Sequence, residues 1–531
     1  MGGFGPYGLN GNVRNYLGAF GPRLGIAYQL RPKTVVRIGY GRSFDIGVFG
    51  SNFGHAVTQN LPVLVHQAIS AHDLNPAAIN DNVPLYNMSG LNGLPNQPTS
   101  AASAFPAVRA DGTIPLRGPL NSVDPRIRPT VQRPAKIDMW NATVEHQLTS
   151  TMTVEVSYVG NKGTHGFAGD GPTYNANQRS IVGYGSIAPD NRRPFFNRFT
   201  YPDCSVSMGV CGQANVPLAD QLTCCSSDMG NYFGMDASSK YNALQLKVEK
   251  RFSQGLQFVS HYTWSSARFY DNNYFAIDPK VAYGPMNVNR NHVWVTNFIY
   301  DLPFGKGKKF MGDSNRLMDT VIGGWRLTSI TNWSGGLPWT PQFGDCGQDQ
   351  DVGVCRPNIG TGSLKTGVHR DPATGIVTFF TPVFTPATTA TNCNIPGLTI
   401  VSSLTPDGCK TLKGFNQCAV ARPTIPGFAR TTCGTLGNIG LDSFRGPHLF
   451  TSNLSLAKNF RITERYSAEF RMDANNIFNH PVMGFNYTQG NTCIDCAGPL
   501  APFKPGDAGK ITNIENNTSM RLLTFGLRFS F

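Results

Sequence analysis

The sequence predicts an all-β fold, an antiparallel β-barrel that crosses a membrane with its strands. Three observations predict it. The best-patterned segments alternate apolar and polar residues with a period of two, which gives a strand two unlike faces. These segments come in pairs, with a short turn inside each pair and a long loop between pairs. Nowhere do eighteen apolar residues run together, so no transmembrane helix is encoded, although the chain has 531 residues and an apolar fraction of 40%.

The first pair follows a Gly-rich lead. Leu24, Ile26, Tyr28 and Leu30 alternate with small or polar residues, Arg31-Pro-Lys33 makes the turn, and Val36, Ile38 and Tyr40 return. Pro32 cannot donate to a ladder, which suits a turn and not a strand interior. From Ser43 to about Ile137 the pattern dissolves into a loop too long for an ordinary compact domain. The second pair sets Trp140, Ala142, Val144 and Leu148 against Met152, Val154, Val156 and Tyr158, with the turn at Thr149-Ser150. A second long loop runs from Gly160 to about Ser239.

The third pair has Leu244, Leu246 and Val248, the turn Ser253-Gln254-Gly255, then Leu256, Phe258, Tyr262 and Trp264. The fourth runs from His292 to Asp301 and from Trp325 to Trp333, with both faces of the first strand apolar. The longest loop, Gly335 to Arg445, comes next. The fifth pair has Phe450, Leu454 and Leu456, a turn near Arg461-Ile-Thr463, then the sharpest alternation in the chain. There Tyr466, Ala468, Phe470, Met472 and Ala474 oppose Arg465, Ser467, Glu469, Arg471, Asp473 and Asn475. The last strand ends the chain, with Leu523, Phe525, Leu527, Phe529 and Phe531 on one face and Thr524, Gly526, Arg528 and Ser530 on the other.

Each strand spans about nine to twelve residues, the length a tilted strand needs to cross a bilayer. Short turns on one side and long loops on the other are the layout of an outer-membrane barrel, with the long loops extracellular and the C-terminus periplasmic. Charges on the polar face, Arg465, Glu469, Arg471 and Asp473, are candidate lumen-lining residues, because a wet lumen tolerates them and a dry sandwich core does not. A soluble β-sandwich would instead turn its apolar face inward. The loop asymmetry argues against that, as do Tyr158, Trp264, Trp325 and Trp333 near strand ends, placed as interfacial girdles.

The formal charge of +13 is spread singly over strands and turns. The one tight cluster, Lys306, Lys308 and Lys309, sits in a Gly-rich turn, so nucleic acid is not expected as a partner. Twelve cysteines fall outside every stretch that reads as strand. Many neighbour a partner in sequence: Cys204 and Cys211, Cys346 and Cys355, Cys393 and Cys409, Cys418 and Cys433, Cys493 and Cys496. Loop disulfides of an oxidising compartment are the expectation, with connectivity open. Cys493-Ile-Asp-Cys496 has half the spacing of a zinc site but no second pair or histidine nearby. His261, His292, His448 and His480 belong to no hydrolase or metalloprotease motif, and no phosphate-binding Gly-rich loop occurs. No enzymatic activity and no cofactor are expected.

Several phrases resemble the Oar-like group of TonB-dependent outer-membrane receptors. They are Tyr241-Asn-Ala-Leu-Gln-Leu-Lys-Val-Glu-Lys-Arg-Phe252, His261-Tyr-Thr-Trp-Ser265, Tyr300-Asp-Leu-Pro-Phe-Gly-Lys-Gly307, Gly323-Gly-Trp-Arg-Leu327 with Ser334-Gly-Gly-Leu-Pro338, and Asn475-Asn-Ile-Phe-Asn-His-Pro481. The resemblance implies a signal peptide, a carboxypeptidase-regulatory-like domain without peptidase activity, a plug and a barrel of about 22 strands. None of the first three is found after Met1, and about eleven strands are counted, so the expectation is the C-terminal half of such a barrel. The resemblance also implies energised uptake of a large nutrient such as an oligosaccharide or siderophore. Its implied partners are TonB through the plug, outer-membrane lipid, and barrel-assembly machinery that recognises Phe531. A barrel-anchored adhesion or structural protein is the alternative.

Overall fold

The computed structural model describes residues 16–45, 133–169, 234–270, 279–340, 366–379, 440–461, 465–484 and 520–531, with short pieces between them. Eleven long strands run in one sheet. They are β1 (Arg23–Arg31), β2 (Thr34–Asp45), β3 (Ala135–Thr149), β4 (Met152–Gly166), β5 (Ala237–Ser253) and β6 (Leu256–Tyr270). The series continues with β7 (His292–Asp301), β8 (Trp325–Ser334), β9 (Leu449–Arg461), β10 (Ser467–Asn475) and β11 (Leu522–Ser530). Every neighbouring pair is antiparallel, and the order across the sheet is the order along the chain. A short strand, Tyr283–Pro285, adds to the end of β6.

Register follows the alternation. Between β10 and β11, Ala468, Phe470, Met472 and Ala474 face Phe529, Leu527, Phe525 and Leu523, while Glu469, Arg471 and Asp473 face Arg528, Gly526 and Thr524. A slip of one residue would exchange the two sets, so the pattern fixes which faces meet. The same division runs through the sheet: Val144, Val156 and Leu246 align across β3, β4 and β5 on the apolar face.

No second layer among the described residues covers that apolar face. Val144, Val156, Tyr158, Leu244, Trp264 and Phe525 are between 42% and 63% exposed. Only twelve apolar side chains among the described residues are buried, and six of those are alanines. A soluble sheet hides its apolar face beneath a second layer; this sheet presents it outward, as a lipid-facing surface does. Where hydroxyls interrupt the apolar face they bond to one another. Ser260 meets Thr296 at 2.7 Å and Thr331 meets Ser452 at 2.8 Å, so neither pair leaves a polar group bare.

The expected pairs are all present, but several strands are longer than expected. β3 to β6 have 15 to 17 residues each, and with β2 they claim Ser43–Asp45, Ala135–Ile137, Gly160–Gly166 and Ala237–Ser239 from the predicted loops. Those extensions are rich in Gly, Ser, Asn and Lys, so they pair by backbone without an apolar face to announce them. In the other direction, Arg465 and Tyr466 fall just short of β10. The expectation that no cysteine lies in a strand is also corrected. Cys409–Leu412 and Phe415–Cys418 form a small hairpin in which Cys409 and Cys418 are backbone partners. The other ten cysteines lie outside the described residues, as does most of each long loop.

All short connections lie at one end of the sheet. The β5–β6 turn has Gln254 at φ 54° and Gly255 at φ 80°, the two left-handed residues of a type I′ hairpin. A Cβ on Gly255 would also meet the Asp301 carbonyl oxygen at 2.9 Å. The β7–β8 connection is longer and carries a helix, α1 (Arg316–Ile322). Asn315 caps it by accepting the Met318 N–H at 2.9 Å.

Lys458, on the apolar face of β9, closes the other end of α1. It is only 3% exposed. Its ammonium donates to the Val321 carbonyl at 3.1 Å and to the Gly323 carbonyl, and sits over the rings of Trp325 (4.8 Å) and Phe460 (5.0 Å). A cation on a helix's last carbonyls complements the partial negative charge there. Lys458→Met should therefore free the β7–β8 connection at a cost of about 2 kcal/mol. Faster limited proteolysis between residues 302 and 324, with the sheet's circular dichroism unchanged, is the expected result.

Candidate functional site

The polar face carries a row of charges set by register. Glu145 of β3 faces Glu155 of β4, Glu155 faces Lys247 of β5, and Lys247 faces His261 of β6. Two carboxylates directly opposed repel. Here each has a cation beside it: Arg37 pairs with Glu145 at 2.7 Å, and Lys247 stands across from Glu155. Ser157 also donates to Glu155 at 3.2 Å, and Lys247 pairs along its own strand with Glu249 at 2.7 Å.

A second set of pairs lies on the same face nearer the short turns. Arg326 of β8 grips Asp301 of β7 through Nε at 2.6 Å. Arg471 pairs with Asp473 at 2.8 Å and also donates to Ser455 Oγ at 3.2 Å, while Glu469 faces Arg528. Of the four candidate lumen residues, Glu469, Arg471 and Asp473 thus share one face of β10. Arg465 lies in the bend before it. These side chains are a third to a half exposed, so each pair contributes at most about 1 kcal/mol to stability. Such a surface can present a nearly balanced, hydrated wall to a polar solute.

The apolar face is bounded by aromatics. Trp333 and Trp325 stand at opposite ends of β8 on that face. Near the long-loop end, His292 lies between Trp264 and Trp333, with ring centroids 6.4 and 6.3 Å away, and Tyr262 bonds its Nδ1 at 2.8 Å. Tyr158 donates to Asn242 Oδ1 at 2.8 Å. Trp140 lies over Gly160, where a Cβ would meet the indole at 2.5 Å, so the glycine makes room for the ring. His261 is on the polar face, and His448 and His480 meet beyond β9 and β10 with centroids 5.6 Å apart. Among the described residues, no group of three or more His, Cys, Asp and Glu is placed to hold a metal ion.

Sequence reading missed a tyrosine cluster at the long-loop end. Tyr274 packs against Tyr174 (4.8 Å) and Tyr270 (5.2 Å), Tyr270 against Tyr283 (4.9 Å), and Tyr174 against Tyr232 (5.2 Å). Tyr174 donates to Asp236 at 2.8 Å. Gln178 is buried and clamps the loop, donating to the Tyr274 carbonyl and accepting from the Ala276 N–H, both at 2.7 Å. The cluster ties segments from two loops, and the density of tyrosine from Tyr270 to Tyr283 was its only trace in the sequence. Arg445 likewise ties the base of the longest loop to the Asn289 carbonyl at 2.6 Å.

A family model described as an outer membrane beta barrel domain matches residues 4–523. The chain belongs to that family. It is an outer-membrane β-barrel protein, and its uncovered apolar face and aromatic borders are those of a membrane-embedded sheet. No curated protein matches it in sequence. Solved structures similar in fold include the P. aeruginosa receptor FpvA bound to heterologous pyoverdines, at 7% identity and a TM-score of 0.32, covering 96% of this chain and 33% of that one. The ferric citrate transporter FecA is similar at 8% identity and a TM-score of 0.33, with 96% and 38% covered. The copper transporter OprC is similar at 8% identity and a TM-score of 0.30, with 96% and 40% covered. The chain therefore spans well under half the length of each of these.

The tyrosine cluster has a pH signature. Burial, then the Asp236 charge and Tyr270, pushes the Tyr274 phenol from 10 to about 12. Burial raises Tyr232 as well, and burial with the hydrogen bond to Asp236 raises Tyr174 further. A phenol whose folded pKa lies above its unfolded value lends stability below pH 10, and that stability is lost as the pH climbs from 10 towards about 12. Phenolate absorbance should show a late-titrating class that Tyr274→Phe diminishes. A single transition at the ordinary tyrosine pKa would show that the cluster does not form.

Proposed function

We propose that this chain is part of the barrel of a TonB-dependent outer-membrane receptor of the Oar-like group, which takes up a large polar nutrient such as an oligosaccharide or siderophore. The observation that carries the reading is one membrane sheet with unlike faces: uncovered apolar residues outside, and paired charges such as Arg37–Glu145 and Arg471–Asp473 on the other side. The phrases around Tyr241, Tyr300, Gly323 and Asn475 support the same group.

In this reading the polar face lines the lumen and the long loops are extracellular, where residues 46–134, 167–236 and 335–448 select the solute. Disulfides among Cys204, Cys211, Cys346, Cys355, Cys393, Cys409, Cys418 and Cys433 stiffen those loops, and Cys493 and Cys496 do the same in the loop before β11. No bond of the solute is made or broken by the barrel. The step that moves it belongs to a plug, driven through TonB. The eleven strands form part of a larger barrel. In support, every described residue of β1 and β11 is exposed, and the two edge strands run in the same direction. Antiparallel closure between them therefore takes an odd number of further strands.

Cells expressing the full-length receptor should accumulate a radiolabelled siderophore or glycan that they lose when TonB is disrupted. Uptake that persists without TonB would overturn the transport reading and leave a surface-anchoring role. Separately, deleting Phe531 should leave export intact while barrel assembly falls, read as protein lost from outer-membrane fractions and gained in the periplasm. Undiminished assembly would remove the proposed role of Phe531 with the assembly machinery.

A further inference from the structure

Above the aromatic border, on the apolar side of the sheet, register lines up a second set of charges. Arg42 of β2 faces Asp138 of β3, Asp138 faces Lys162 of β4, Lys162 faces Lys240 of β5, and Lys240 faces Arg268 of β6. All lie on the same face as Ile38, Trp140, Tyr158, Leu244 and Trp264, one or two pleats nearer the long loops. Each pleat advances about 7 Å along the strand. The single acid in the row is already engaged: Asp138 accepts from Arg42 at 2.6 Å and from the Tyr40 hydroxyl at 2.7 Å.

Lys162, Lys240 and Arg268 are exposed, and among the described residues neither lysine has an ion-pair partner. Their backbones are about 5 Å apart from strand to strand. Like charges directly opposed destabilise a sheet, so three in succession leave a positive field that only an outside anion relieves. Beneath them, at the level of Gly160, Asn242 and Ser266, aromatic side chains reach up the face: the Trp140 indole lies over Gly160 and the Tyr158 hydroxyl bonds Asn242. The result is a shallow shelf with an apolar wall below and cations above. Arg268 is held on the shelf by the Tyr283 ring, 5.2 Å from its guanidinium carbon.

We propose that this shelf binds the phosphorylated sugar headgroup of an outer-leaflet glycolipid, with its acyl chains lying along the apolar face below. The occupant follows from position. A surface facing lipid on one side of an aromatic border meets headgroups on the other, and the headgroup charge that complements Lys162, Lys240 and Arg268 is phosphate. The inference rests on the orientation given under the proposed function, with the long loops outermost.

The test uses the full chain in detergent and bis-phosphorylated lipid A as the probe, with binding read by native mass spectrometry and by titration. Lys162→Gln, Lys240→Gln and Arg268→Gln together should weaken lipid A binding roughly tenfold or more, and raised salt should do the same to the unaltered chain. Dephosphorylated lipid A should bind weakly and equally to both. Lys240→Gln alone, with the conservative Lys240→Arg as its rescue, carries the same comparison if the triple variant folds poorly. Unchanged binding in the Gln variants would overturn the proposal, as would inorganic phosphate competing as well as the lipid. Lys33→Gln with Arg251→Gln, at the short-turn end, separates the two levels of inference. If only that variant loses lipid A, the orientation is reversed; if neither variant does, the shelf is not a glycolipid site.

Discussion

The structure depends on one constraint: in hydrocarbon no backbone N–H or C=O goes unpaired, because water is not there to accept it. A meander of neighbours in chain order meets that constraint with the shortest connections, and β2 to β10 each have a partner on both sides. It also dictates what the side chains do. With the backbone satisfied inside the sheet, one face is free to be apolar and uncovered, and the other to be charged. The cross-strand hydroxyl pairs Ser260–Thr296 and Thr331–Ser452 extend the same rule to side chains on the lipid side. Edge strands are where the rule is unmet, and β1 and β11 are the two strands with every described residue exposed.

The sequence made the sheet legible wherever hydrophobic alternation and membrane depth coincide. The pattern assigned the two faces of β10 and β11, and β7 was bounded correctly even though both its faces are apolar. Legibility stopped where strands leave the bilayer. Gly160 to Gly166 and Ala237 to Tyr241 continue the ladder, yet no apolar face is needed there and none is written. Arg465 and Tyr466 show the opposite error: alternation runs two residues beyond the point where pairing begins.

The charge rows and the tyrosine cluster were invisible for a different reason. Glu145 and Lys247 share a row although more than a hundred positions separate them, and Tyr174 meets Tyr274 across two loops. Composition along the chain records only scattered single charges, and the bland reading of the +13 balance as solvated turns and lumen missed that some of it is collected on one side. Register converts a dispersed excess into a local field, and register becomes known only once every hairpin between two residues is placed.

Two solutions to a cation on the lipid-facing side therefore coexist. Lys458 is drawn inward, where helix carbonyls accept its protons and two aromatic rings cover it, so it needs no partner from outside. Lys162, Lys240 and Arg268 are left exposed and mutually repelling at the opposite end. If stability alone had set both, the second group would carry its own acids as the polar face does, where Arg37, Lys247, Arg326 and Arg471 each have one within 2.8 Å. The contrast within one sheet is what argues that the exposed row is complemented by something outside the chain, and its height above the aromatic border says that this lies among the headgroups.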